Sequence, residues 1–285
     1  MEILKVAVIG GGLMGRQIAL NAAIHGYQTK VTDSVEATRA NIKEWEAEYL
    51  AGRLAKNRMT PEAVEQTKAR FAVVDNIEQA VCDADLVIEA VVEREDVKKA
   101  VFKEISLYAP DSAIMATNSS RMPASTFRDC VKDPSKLANT HYNNPALVMK
   151  AVEVQQNEDT SEDTVASLLE FCRKNGKTPI HIRKEIDGLV VSRILHEINE
   201  VALYLVEEGY CTCEDVDNAC TSGLGHPMGP FRLMDMTGLD LNLDIRENEF
   251  KQTGKKPVGY DLFKSYVDQG RLGRKSGKGF YEYDK

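Results

Sequence analysis

Gly10, Gly12 and Gly15 stand in the order G-x-G-x-x-G directly after a short apolar run, residues 3–9. Each glycine of that spacing has a mechanical use. One makes a tight turn, one lets backbone approach a pyrophosphate, and one allows a helix to pack closely on a sheet. A helix starting there turns unpaired N–H groups and the positive end of its dipole toward phosphates. Asp33 closes the next strand-like run, where an acid accepts the ribose hydroxyls of an adenine nucleotide. No arginine directly follows it, which favours NAD over its 2′-phosphorylated relative. Thr117-Asn118-Ser119-Ser120 and His141 each follow a further strand-like run, at the carboxyl edge where open α/β sheets gather ligands. Imidazole titrates near neutral pH and can take or give a proton. Glu153 is an acid among the apolar residues of Ala151-Val152-Glu153-Val154. Buried there, it needs a partner, and His141 is the natural candidate.

The elements that must position these groups follow from the pattern. Residues 3–9 read as a strand buried on both faces of a parallel sheet. Residues 14–24 read as a helix that Gly26 would cap, and residues 28–32 as a second strand. From residue 35 to about residue 69 the pattern is helical, broken near Asn57-Arg58-Met59. Thr60 is placed to cap the second helix, with Pro61 as its first residue. This is a helical hairpin inserted into the sheet topology. Strand-like runs recur at residues 71–74, 86–92, 113–117 and 136–141, separated by helical stretches such as 94–108, and the alternation predicts a doubly wound parallel sheet. After residues 180–182 the strand signal stops and residues 188–208 read as a long helix. The expected domains are therefore residues 1–185, binding a dinucleotide, and 186–285, helical.

Composition excludes several functions. A length of 285 residues allows two modest domains, and 43% apolar with 28% charged residues is ordinary for a globular chain. The net charge of −8 argues against nucleic-acid binding, which needs a basic surface. Cys82, Cys130, Cys172, Cys211, Cys213 and Cys220 form no C-x-x-C pair. With no signal-peptide pattern before the first strand, they imply reduced thiols and a cytoplasmic location. No apolar run approaches the roughly 20 residues that span a bilayer, and no metal site is expected.

The ordered motifs resemble those of the 3-hydroxyacyl-CoA dehydrogenase family, especially its bacterial 3-hydroxybutyryl-CoA branch. The resemblance rests on Gly10-Gly11-Gly12-Leu13-Met14-Gly15, on residues 85–93, and on Thr117-Asn118-Ser119-Ser120. It continues through His141 with Asn144-Pro145, through Val152-Glu153-Val154, His226-Pro227-Met228-Gly229-Pro230 and residues 273–281. It implies a Rossmann-type sheet, an all-α C-terminal domain that dimerises, and NAD as cofactor. His141, Glu153 and Ser120 fall on the family's catalytic positions. Gly10, Gly12, Leu13, Met14, Gly15 and Asp33 fall on its cofactor-binding positions, as do Glu93, Lys98, Asn118 and Asn144. Arg53 and Lys56, on the hairpin, fall where an acyl-CoA carrier is contacted. Oxidising a secondary alcohol needs a base for the hydroxyl proton while hydride leaves carbon, a role that suits His141. Glu153 would fix its tautomer, and Ser120 would bond the reacting oxygen.

Four positions depart from the family pattern. Ser192 stands where the family has an active-site asparagine, so one hydroxyl replaces an amide. Tyr142 and Asn143 replace paired aromatics after the histidine. Arg121 replaces an aliphatic residue after Ser120 and could pair a substrate carboxylate through its planar fork. The sequence thus implies a short-chain 3-hydroxyacyl-CoA dehydrogenase, with a reductase or dehydrogenase of a small anionic non-CoA compound as the alternative. A non-catalytic NAD-binding protein is the reading from a different class. A lysine-dependent hydroxyacid dehydrogenase would need an essential lysine, which the His–Glu pair does not call for.

Overall fold

The computed structural model describes residues 1–283, which form two compact units, the first Met1–Val190 and the second beginning at Val191. The first contains β1 (Lys5–Ile9), α1 (Leu13–Ile24), β2 (Gln28–Thr32), α2 (Glu36–Ala55), α3 (Pro61–Arg70), β3 (Phe71–Val73) and α4 (Ile77–Val81). It continues with β4 (Leu86–Glu89), α5 (Glu95–Tyr108), β5 (Ile114–Thr117), β6 (Leu137–Tyr142), β7 (Ala151–Gln156), α6 (Glu162–Lys174) and β8 (Thr178–Ile182). All eight strands join one sheet in the order β3-β2-β1-β4-β5-β6-β7-β8. Strand order reverses between β1 and β4, the switch point outside which open α/β sheets bind ligands.

Alternation along the central strands builds two cores, one on each face. Val6 and Val8 of β1 and Leu86 and Ile88 of β4 pack with Ile18 and Ala22 of α1 and Leu168 and Phe171 of α6. Ala7, Ile9 and Val87 pack on the other side with Ala80 of α4 and Phe102 and Ile105 of α5. Burying one such phenylalanine contributes about 2 kcal/mol, and Phe102→Ala would cost about 3–5 kcal/mol because a cavity is left behind. The helical hairpin forms as expected. Thr60 Oγ1 accepts from Ala63 N at 3.2 Å, and Pro61 begins α3. Arg16 of α1 lies over the Trp45 ring of α2 at 4.7 Å.

Two expectations need correction. The sheet is not wholly parallel: β6 and β7 pair antiparallel, and residues 151–156, not foreseen as a strand, form β7. The connection at residues 143–150 is shorter than the dozen or so residues a parallel crossover requires, so the chain can only turn back on itself. Strand β4 also stops at Glu89 rather than at residue 92. The Glu89 carboxylate accepts from Val91 N at 2.7 Å and turns the chain out of the ladder.

The second unit is helical, with α7 (Val190–Glu207) entering it from Val190, then α8 (Cys213–Asn218), α9 (Pro230–Thr237), α10 (Leu239–Thr253) and α11 (Tyr260–Asp268). Leu203, Phe231, Met234, Leu239 and Phe263 form its core. Asp217 and Asp235 are buried in it. Among the described residues, no helix is long and apolar enough to cross a membrane.

Candidate active site

The glycine turn lies between β1 and α1. Gly10 has φ +103°, and a Cβ on it would stand 2.6 Å from Ala90 O. A Cβ on Gly15 would stand 1.7 Å from Gly10 O, so any side chain there would drive α1 off the turn. Gly12, by contrast, would meet nothing within 4 Å and caps α1 with no side-chain hydrogen bond. No side chain therefore caps the first N–H groups of the helix, the condition an anion site requires. Asp33 is oriented by two backbone donors, Gly11 N on Oδ2 at 2.8 Å and Val35 N on Oδ1 at 2.9 Å. Each oxygen keeps a further lone pair for a ribose hydroxyl. This geometry fits a dinucleotide. Leu13 is exposed at the same turn.

A cavity of about 470 Å³ opens beside it, lined by Met14, Ala90, Val91, Glu93, Lys98, Asn118, Ser120 and Arg121. Its polar wall is a continuous network. Lys98 and Glu89 are fully buried and pair at 2.7 Å, and Lys98 also reaches Glu93 Oε2 at 3.3 Å. The second Glu89 oxygen accepts from Thr117 Oγ1 at 2.7 Å. Removing one partner of such a buried pair costs about 3–5 kcal/mol. Glu93 Oε1 accepts the Ser119 hydroxyl and, at 3.1 Å each, the backbone N–H groups of Ser120 and Arg121. Burial disfavours ionising Glu93, but the Ser119 hydroxyl, Lys98 and the Arg121 N–H outweigh it and hold the carboxyl below its ordinary value. Asn118 Oδ1 accepts from Tyr142 N at 2.8 Å, which leaves its NH₂ available to a ligand.

Ser120 connects this wall to a second chain of groups. Its Oγ lies 3.0 Å from His141 Nε2, and His141 Nδ1 lies 3.0 Å from Glu153 Oε2. The antiparallel register pairs His141 directly with Glu153, so both side chains share one face of the sheet. Glu153 is fully buried. Its other oxygen accepts from Val190 N, the first residue of α7, at 2.7 Å. Gly188 and Leu189 just before it have φ of +73° and +53°, a conformation that costs a leucine about 1–3 kcal/mol and often accompanies functional sites. With Nδ1–H donated to Glu153, Nε2 carries the lone pair that faces Ser120. Such an imidazole can take a proton at Nε2 and return it.

The other sequence-derived candidates are on other elements. Asn144 is exposed on the loop after β6. Arg53 is on the last turn of α2 and Lys56 caps it, both outside the cavity wall. Ser192 is on the first turn of α7, in the second unit. The structure adds residues that sequence reasoning missed. Asn139 Nδ2 donates to Ser119 O at 2.9 Å and props the serine loop from β6. Ser119 Oγ accepts from Met122 N at 2.8 Å. Val190 sits inside the helix expected over residues 188–208, and its residue type gave no sign that its N–H meets Glu153. Among the described residues no cluster could hold a metal ion.

A glycine turn at a sheet switch point, with an imidazole–carboxylate pair in the same sheet, fits an NAD-dependent oxidoreductase acting on a CH–OH group. Residues 5–186 match the model for the 3-hydroxyacyl-CoA dehydrogenase NAD-binding domain, and residues 188–283 match that family's C-terminal domain. The chain belongs to the 3-hydroxyacyl-CoA dehydrogenase family. It is 35% identical to the mitochondrial hydroxyacyl-coenzyme A dehydrogenase of Rattus norvegicus over 289 residues, covering 99% of this chain and 91% of that one. The solved (S)-3-hydroxybutyryl-CoA dehydrogenase of Ralstonia eutropha superposes with a TM-score of 0.86 at 30% identity, each chain covered in full. A diketoreductase acting on dicarbonyl compounds superposes with a TM-score of 0.87 at 29% identity, covering 99% of this chain and 100% of that one.

Proposed function

We propose that this protein interconverts short-chain 3-hydroxyacyl-CoA and 3-oxoacyl-CoA, with His141 as the acid/base. The observation that carries this reading is the unbroken chain Ser120 Oγ, His141 Nε2, His141 Nδ1, Glu153 Oε2, each link 3.0 Å, ending on the cavity wall. NAD bound here would supply the acceptor for the hydride that leaves the alcohol carbon. His141 Nε2 takes the hydroxyl proton, and Glu153 stabilises the resulting imidazolium through Nδ1. Ser120 bonds the reacting oxygen. In the reducing direction, His141 returns its proton to that oxygen. The glycine turn, Asp33, Met14, Asn118, Glu93 and Lys98 would hold the cofactor. The alternative of a small anionic non-CoA substrate draws on the diketoreductase likeness.

The test is the initial rate of NADH oxidation with acetoacetyl-CoA beside free acetoacetate and a small diketo acid at equal concentration. The proposal expects a clear preference for the thioester. Turnover of a free acid alone would overturn it. We also propose that two copies pair through the second unit, where Ile194, Val201 and Tyr204 of α7 are exposed at helical spacing together with Leu224. Mass measurement in solution should return a dimer of 31.7 kDa chains, and a monomer would refute this.

A further inference from the structure

All but one of the polar side chains on the cavity wall have a partner or a role in the proposed chemistry. Glu93 holds the serine loop, Lys98 is shared between Glu89 and Glu93, Asn118 is fixed by Tyr142, and Ser120 meets His141. The exception is Arg121. Its backbone N–H is pinned to Glu93 Oε1 at 3.1 Å and to Ser119 Oγ at 3.3 Å, so its Cα is fixed. Its guanidinium makes no hydrogen bond or ion pair with any described residue, yet the side chain lines the same cavity as Ser120. Lone surface arginines are commonly just solvated. This one differs in position, since consecutive Cα atoms are about 3.8 Å apart and Arg121 directly follows the serine that faces the imidazole. The other cation on the wall, Lys98, is already held by two carboxylates.

We infer that Arg121 is a specificity residue that receives a carboxylate carried by the substrate a few carbons from the reacting carbonyl. Among the oxo compounds this site turns over, those that carry an acid group are then preferred to those whose chain ends in a methyl group. A guanidinium matches a carboxylate in a bidentate fork that an ammonium cannot reproduce. The inference rests on the reading of Ser120 and His141 as the reacting site. The carboxylate has two possible sources, the far end of a dicarboxylic half-thioester or the acid group of a free oxo acid, and the arms of the test separate them.

The experiment compares kcat/KM for 3-oxoadipyl-CoA, 3-oxohexanoyl-CoA and a free 2,4-dioxo acid, with KM for NADH, in the native enzyme and in Arg121→Met and Arg121→Lys. The native enzyme should prefer a carboxylate-bearing compound to 3-oxohexanoyl-CoA. In Arg121→Met that preference should fall about tenfold to a hundredfold, the loss expected for a charge-assisted hydrogen-bonded pair. Arg121→Lys should restore only part of it. Whichever anionic arm carries the preference names the source of the carboxylate. An unchanged preference in Arg121→Met would overturn the inference, as would a loss appearing in KM for NADH, which would place the guanidinium on the cofactor. Turnover of 3-oxohexanoyl-CoA without any preference would sink the inference alone. Turnover of none of the three would sink the functional reading with it.

Discussion

Both units bury carboxylates deeply, and they use them differently. In the second unit, Asp235 accepts Phe280 N at 2.9 Å, Tyr281 N at 3.0 Å and the Tyr283 hydroxyl at 2.9 Å. Asp217 accepts Phe231 N, Arg232 N and the Tyr281 hydroxyl at 2.8, 3.1 and 2.8 Å. These networks close on backbone and tyrosine donors and clamp residues 280–283 against α8 and α9. Burial and Asp235 together push the Tyr283 hydroxyl up to about 12, so it stays a donor. In the first unit, Glu153 also has both oxygens engaged. One of its donors is an imidazole whose far nitrogen faces a serine on a cavity wall. A buried carboxylate is therefore no mark of chemistry by itself. What matters is whether a group able to pass a proton links it to space a substrate can enter.

Breaking each network should give opposite readouts. Glu153→Gln places an amide donor against either His141 Nδ1–H or Val190 N, upsetting the tautomer. Turnover should fall about a hundredfold to ten-thousandfold, and a fall below tenfold would remove Glu153 from the mechanism. Asp235→Ala strands three donors and should lower stability by about 3 kcal/mol, seen as a lower melting temperature. Turnover loss with unchanged melting would break the comparison by making Asp235 part of the chemistry. Asp33→Ala removes the acceptor from the nucleotide turn. NAD should bind about tenfold more weakly, the loss of one charge-assisted bond, and an unchanged dissociation constant would show the ribose contact to be wrong.

Lys177 supplies a third kind of buried charge, met by the Ala146 and Met149 carbonyls rather than by an acid. Burial, reinforced by Lys150, pushes its amine down to about 8. Between pH 8 and the ordinary lysine value of about 10.4, the unfolded chain holds a proton that the folded chain has released, so this group makes stability rise with pH. The stability difference between native protein and Lys177→Met should climb by up to about 1.4 kcal/mol per pH unit across that window and stay flat below it. A flat difference throughout would mean that Lys177 titrates normally.

Much of the site was legible in the sequence because its residues carry their own local signals. The glycine spacing after an apolar run marks the turn, and the acid expected at the end of the next strand is held against that turn by Gly11 N. His141 and Glu153 were matched by chemistry alone. What sequence reasoning lacked was the geometry that joins them, because residues 151–156 were not seen as a strand and the sheet was taken as parallel. The length of the 143–150 connection held the answer, since it permits only an antiparallel return. Val190 and Asn139 stayed hidden for another reason. Each acts across long sequence separation through a backbone group, Val190 N on Glu153 and Ser119 O on Asn139, and a backbone group leaves no trace in residue type.

The claim that His141 moves the proton is tested most directly with His141→Ala. Initial rates of NADH oxidation would be measured with whichever oxo substrate the native enzyme prefers, and NADH binding would be followed by fluorescence on the same preparations. The account predicts a loss of about a thousandfold or more in turnover with the NADH dissociation constant unchanged. Turnover within tenfold of native would contradict it, because the base would then have to be another group.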